Sequence, residues 1–152
     1  MSQAAAPAPG QPAHDPSDRV RLARVALDAA IAVPKVVRGE AGRDVQRVTV
    51  DGGERLEGVL AIAQPDGRYG IELRLVAQLV PLHALAEDVR AKVRGAAARA
   101  GLERSLGEVN IEFAGLLTAE ERAAAARAAQ ATALAAQASA DRLPPNDRGD
   151  GR

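Results

Sequence analysis

Residues 69–78 read YGIELRLVAQ, residues 82–100 read LHALAEDVRAKVRGAAARA and residues 109–113 read VNIEF. In the first stretch Tyr69, Ile71, Leu73, Leu75 and Ala77 alternate with Gly70, Glu72, Arg74, Val76 and Gln78. A period of two is that of a strand with one buried and one wet face. In the second, Leu82, Leu85, Ala86, Val89, Val93, Ala96 and Ala100 recur at helical spacing behind Pro81, and Gly101 suits the C-terminal cap. The third alternates again. Strand, helix and strand in this order require a right-handed crossover onto one sheet.

Upstream, Val48 and Val50 are expected on one face of a short strand, and Asp51-Gly52-Gly53 is a hairpin signal because these residues tolerate positive φ. Leu56 to Ala63 reads as the return strand, and Pro65-Asp66-Gly67 as a tight turn. The link VVRGEAGRD (36–44) reads as turn-rich. Before it, Val20, Ala23, Leu27, Ala30 and Ile31 mark a helix that starts near Asp15 or Ser17 and is ended by Pro34. Downstream, Thr118-Ala119-Glu120-Glu121 is a capping box that launches an alanine-rich helix to about Ala140. Leu134 is that helix's one large apolar residue, so a weakly docked or projecting helix is expected.

The fold class expected is α+β: a two-layer sandwich with a small mixed sheet covered on one face by two helices, plus the C-terminal alanine-rich helix. Of the 34 Leu, Ile, Val and Phe residues, 32 lie between Val20 and Leu117. The domain therefore spans 16–117, followed by the helix 118–140. Residues 1–15 and 141–152 are rich in Ala, Pro, Gly and polar residues and read as disordered tails.

The charge balance is 20 basic against 20 acidic residues, which removes the electrostatic footprint of a nucleic-acid binder. With no cysteine, there can be no disulfide framework, thiolate metal site or thiol nucleophile. No apolar run approaches the ~20 residues that cross a bilayer, and the N-terminus lacks the basic start and apolar run of a signal peptide.

Few residues are candidates for chemistry. His14 and His83 stand apart, with no second ligand spaced to join either in a metal site. Ser2, Ser17, Ser105 and Ser139 lack a strand–turn–helix nucleophile context. Glu87 and Asp88 lie among basic residues on a solvated helix face, where i,i+4 pairing accounts for them. Gly39-Glu40-Ala41-Gly42 spells the GxxG of a KH loop, but with Glu and Ala at its centre and no helix after it. Arg90, Lys92, Arg94, Arg99 and Arg104 form a basic run, diluted by Glu87, Asp88 and Glu103 and without an aromatic stacking platform. No catalytic, cofactor-binding or metal-binding residue is assigned.

ALDAAIAVPKVVR (26–38), GIELRLVAQL (70–79), LHALAEDVRAKVRGAAARAGL (82–102) and EVNIEF (108–113), in that order, resemble the alkaline shock protein family. These are envelope stress response proteins of Gram-positive bacteria. The resemblance covers about residues 20–115. Its signals fall on Ala30 to Val36, Ile71 to Ala77, Leu85 to Val93 and Val109 to Phe113. Two positions depart from the pattern. Lys35 stands where a Gly commonly follows the Val-Pro, and Gln78-Leu79 where a Tyr-Gly pair often ends the long strand. The resemblance implies a non-enzymatic cytoplasmic protein without cofactor. It would self-associate and sit at the inner face of the membrane through a membrane-anchored protein partner. The other expectation from the residues is a small KH-like nucleic-acid-associated domain. A polar open sheet face implies weak self-association, through a strand edge or the alanine-rich helix, rather than an obligate dimer.

Overall fold

The structure is a computed structural model and describes residues 17–43, 47–51 and 53–140. The expected tails, 1–15 and 141–152, lie outside the described residues. The chain divides into two compact units between Leu116 and Leu117.

In the first unit, α1 (Asp18–Ile31) leads into β1 (Val36–Gly39). A hairpin of β2 (Val48–Asp51) and β3 (Glu54–Glu57) follows, then β4 (Val59–Ala63) and β5 (Tyr69–Gln78). Next come α2 (Leu82–Arg99), a 3-10 turn at Glu103–Ser105, and β6 (Leu106–Leu117). Two helices and a mixed sheet make the expected α+β sandwich.

The alternation in β5 is physical. Ile71, Leu73, Leu75 and Ala77 are all buried, against Leu85, Val89, Val93 and Ala97 of α2 and Leu22, Ala23, Ala26, Leu27 and Ala30 of α1 in one core. Small residues on α1 let the two helices lie close over the same sheet face. Gly101, at φ 72°, ends α2: its left-handed turn brings the Leu102 N–H back to the Ala97 carbonyl at 2.8 Å.

One edge of β5 is shared by two separate segments. β4 pairs antiparallel with Tyr69–Leu73, and β1 pairs antiparallel with Leu75–Ala77. They meet at Arg74, whose N–H donates to the Gly58 carbonyl at 2.8 Å and whose carbonyl accepts from Glu40 N–H at 2.9 Å. Both peptide groups of one strand residue point to the same side. β1 and β4 are therefore collinear halves of one edge, and the β2–β3 hairpin is extruded between them. On the opposite edge, β6 pairs with β5. Gly107 lies against Tyr69 at the start of β5 and Gly115 against Val76 near its end, so β6 runs parallel to β5.

The sheet corrects several expectations. The link after Pro34 is not all turn: Val36–Gly39 pairs with β5 as β1. Leu56–Ala63 is not one strand. Gly58, at φ 90°, breaks it, and a Cβ there would sit 2.5 Å from Glu40 N and 2.7 Å from Arg74 O. Val48 and Val50 do share one face of β2, and it is the outer one. Thr49 is buried and its hydroxyl donates to the Val59 carbonyl at 3.0 Å, while Val50 is 61% exposed. The hydroxyl wins the inner position because β4 offers it a carbonyl. The second face of β5 is not uniformly wet, since Val76 and Gly70 are buried. The last strand is longer than Val109–Phe113 and reaches from Leu106 to Leu117.

Lys35 has φ 81°, the one positive φ among the described non-glycine residues. A left-handed backbone costs an ordinary L-residue about 1–2 kcal/mol. It turns the chain from Pro34 into β1, with Gln78 N–H donating to the Lys35 carbonyl at 2.8 Å.

Two measurements check this packing. Leu73→Ala is expected to lower unfolding free energy by about 2–5 kcal/mol, through lost burial plus a residual cavity. Val50→Ala should cost under about 0.5 kcal/mol. Equal losses in denaturant titrations would contradict the strand faces described above. Lys35→Gly is expected to raise stability by about 1 kcal/mol by relieving the left-handed strain. A lower melting temperature for this variant would show that the lysine side chain stabilises more than its backbone costs.

Candidate functional site

The open face of the sheet carries a linked set of charges. Glu112 of β6 holds Arg74 of β5 at 2.8 Å through one carboxylate oxygen and Arg47, just before β2, at 3.2 Å through the other. Arg47 Nε lies 3.3 Å from Glu72 of β5. The register that aligns Arg74 with Glu112 brings them together across parallel strands, and the hairpin delivers Arg47 from above. Both arginine side chains are 26% exposed. The formal charges of these two arginines and two glutamates cancel, and such half-exposed pairs contribute up to about 1 kcal/mol each.

A groove runs between α1 and α2. Ala29, Ala32 and Ala96 line it, with Lys92 and Arg99 opposite Asp28. Its charges are again mixed in sign.

The residues singled out in the sequence are not brought together. His83 is exposed in the first turn of α2, and His14 lies outside the described residues. Ser105 Oγ faces Asp18 at 3.5 Å, and Ser139 Oγ donates to its own helix at the Ala135 carbonyl, 3.0 Å away. Ser17 is the N-cap position of α1 but makes no side-chain cap bond, and Ser2 lies outside the described residues. Glu87 pairs with Arg90 one turn on, while Asp88 is exposed. Among the described residues no three His, Asp or Glu side chains converge as metal ligands. Gly39-Glu40-Ala41-Gly42 leaves strand β1 toward the β2–β3 hairpin, whereas a KH loop joins helices. In the basic run, Arg90 is engaged by Glu87 and by the Val109 carbonyl. Tyr69 and Phe113, the chain's two aromatic residues, pack on the core, so neither is offered to a nucleic-acid base.

Sequence reasoning missed the treatment of the two sheet edges. On the β4 side, side chains occupy outward carbonyls: Arg19 Nε donates to Ala61 at 3.1 Å and the Thr49 hydroxyl to Val59. On the β6 side, Arg90 Nε donates to the Val109 carbonyl at 3.2 Å. An arginine one helix away gives no sequence signal for which carbonyl it will reach.

The second unit contains α3 (Ala119–Ala140), in which 13 of 22 residues are alanine and none is buried. Its start is the expected capping box. Thr118 Oγ1 accepts from the Glu121 N–H at 3.2 Å, and the Glu121 carboxylate accepts from the Thr118 N–H at 2.8 Å. The bond from the Thr118 N–H, with that from its hydroxyl, holds the Glu121 carboxyl below the usual carboxylate range. No helix among the described residues is long and apolar enough to cross a membrane.

Compared with protein-family models, curated proteins and solved structures, the chain matches none.

α3 is expected to be the most easily melted element. Thr118→Ala should remove about 0.5–2 kcal/mol of helix stability, read as lost far-UV helicity. Because Glu121 is depressed, its contribution is complete above the ordinary carboxylate range and is lost as pH falls through its lowered value. Helicity should therefore drop in acid in the wild type and much less in Glu121→Gln. An identical acid profile in both would dismiss the carboxylate's role.

Proposed function

We propose that this chain is a non-enzymatic scaffold protein of the alkaline shock type. In this reading it is cytoplasmic and associates weakly with itself. It is held at the inner face of the cell membrane by a membrane-anchored protein partner, as part of the envelope stress response. The observation that carries the reading is α3: a capped helix of 22 residues with none buried. A helix that long and that exposed adds nothing to its own core, and its small side chains let another chain approach closely. The left-handed backbone at Lys35 supports it too, because this is where the family pattern carries Gly.

Partner and self-association are tested separately. The native protein, cross-linked in cells and purified from envelopes, should bring with it one integral membrane protein. A chain ending at Leu117 should lose that partner. Recovery wholly free of envelope proteins would refute the membrane-side placement. In sedimentation the full chain should gain mass with concentration in the micromolar range. A monomer at every concentration, or a dimer that persists at nanomolar concentration, would refute weak association.

A further inference from the structure

β6 pairs with β5 on one side and with no other strand among the described residues. The bond from Arg90 to the Val109 carbonyl fixes which of its peptide groups face outward. Side chains from Val109 to Phe113 alternate without interruption. Val109, Ile111 and Phe113 face the core, while Glu108, Asn110 and Glu112 are exposed. Peptide groups alternate with the same period. Those of Ile111 and Phe113 therefore point outward with Val109, away from β5. Arg90 covers the carbonyl of the first of the three, and among the described residues no strand pairs with the next two on that side.

From the rest of this strand and its surroundings, we infer that the outer edge of β6, from Ile111 toward Leu116, is where two copies of this chain pair, strand against strand and antiparallel. The inference rests on the self-association proposed above and names its surface. Four observations favour a second copy as the occupant. An antiparallel pair formed by one strand with itself about a twofold matches each outward N–H to an outward carbonyl, with no second sequence required. The stretch Ile111–Leu116 reads IEFAGL, so its one charge is Glu112, and that carboxylate is already held by Arg74 and Arg47. Two copies can therefore meet there without carboxylate repulsion. Leu116 is 40% exposed, which provides apolar area beside the open peptide groups. Finally, outward carbonyls of the opposite edge carry Arg19 and Thr49, so the two edges are not equivalent. Arg90 ends the pairing zone at Val109 and keeps it short, which is consistent with a weak dimer rather than an open-ended stack.

The test uses the full chain and backbone amide exchange followed by NMR over a concentration series that spans the dimer transition seen in sedimentation. The Ile111 and Phe113 amides should exchange quickly in the monomer and gain protection in step with the dimer fraction. Ile111→Pro removes one outward N–H while leaving the ladder to β5 intact. Each lost bond is repeated by the twofold, so it should weaken association by about tenfold or more, with an unchanged far-UV spectrum. Should that variant fail to fold, the wild-type exchange series decides alone. Association with no concentration-dependent protection at these two amides would overturn this surface and leave self-association standing through another, such as α3. A chain that never associates would overturn both. Protection that appears only with a different protein bound would assign the edge to a foreign strand and overturn the second copy as occupant.

Discussion

The sheet depends on one residue of β5, Arg74, and the two peptide groups that flank its Cα. Arg74 bonds to Gly58 through its N–H and to Glu40 through its carbonyl, so two chain segments far apart in sequence are joined end to end on the same edge of β5. If that junction opened, β1 would lose its alignment with β4, and the hairpin between them would lose its base. The junction needs a residue without a Cβ at position 58, because backbone atoms of Glu40 and Arg74 already fill that space. The central strand can then be buried from Gly70 to Ala77, with charges only where Arg74 and Glu72 find partners on the open face.

The parts of the fold legible in the sequence are those whose periodicity reflects a one-sided environment. β5 and α2 each bury a single stripe, and Leu73 and Val89 carry that signal openly. The α3 cap was legible because a capping box is a local bond pair between Thr118 and Glu121. β1 was not legible. Val36 and Val37 suit a strand, but two such residues before Arg38-Gly39 are too short a signal, and the segment is extended because β5 pairs with it. Which face of β2 turns inward has a similar cause: Thr49 is inside because a carbonyl of β4 is within reach.

Surface features divide the same way. That the open face would be polar followed from Glu72, Arg74 and Glu112, but the role of Arg47 in neutralising it depends on the hairpin's position. The alternation from Val109 to Phe113 was visible, whereas the guanidinium that covers one end of that strand comes from α2. Edge chemistry is a property of neighbouring elements, so a strand's own residues cannot announce it.

The split edge also bears on how such a domain can change over time. Glu40 and Gly58 end on neighbouring positions of one strand, so the segment between them is an insertion whose two ends are already adjacent. Lengthening a loop with fixed ends adds little closure entropy. Its boundary positions need not move when its length changes. The segment is anchored by Thr49 and Leu56, both buried, and its tip at Gly53 is exposed. A lineage could vary the tip in length and chemistry while Arg74 goes on stitching the same two halves together.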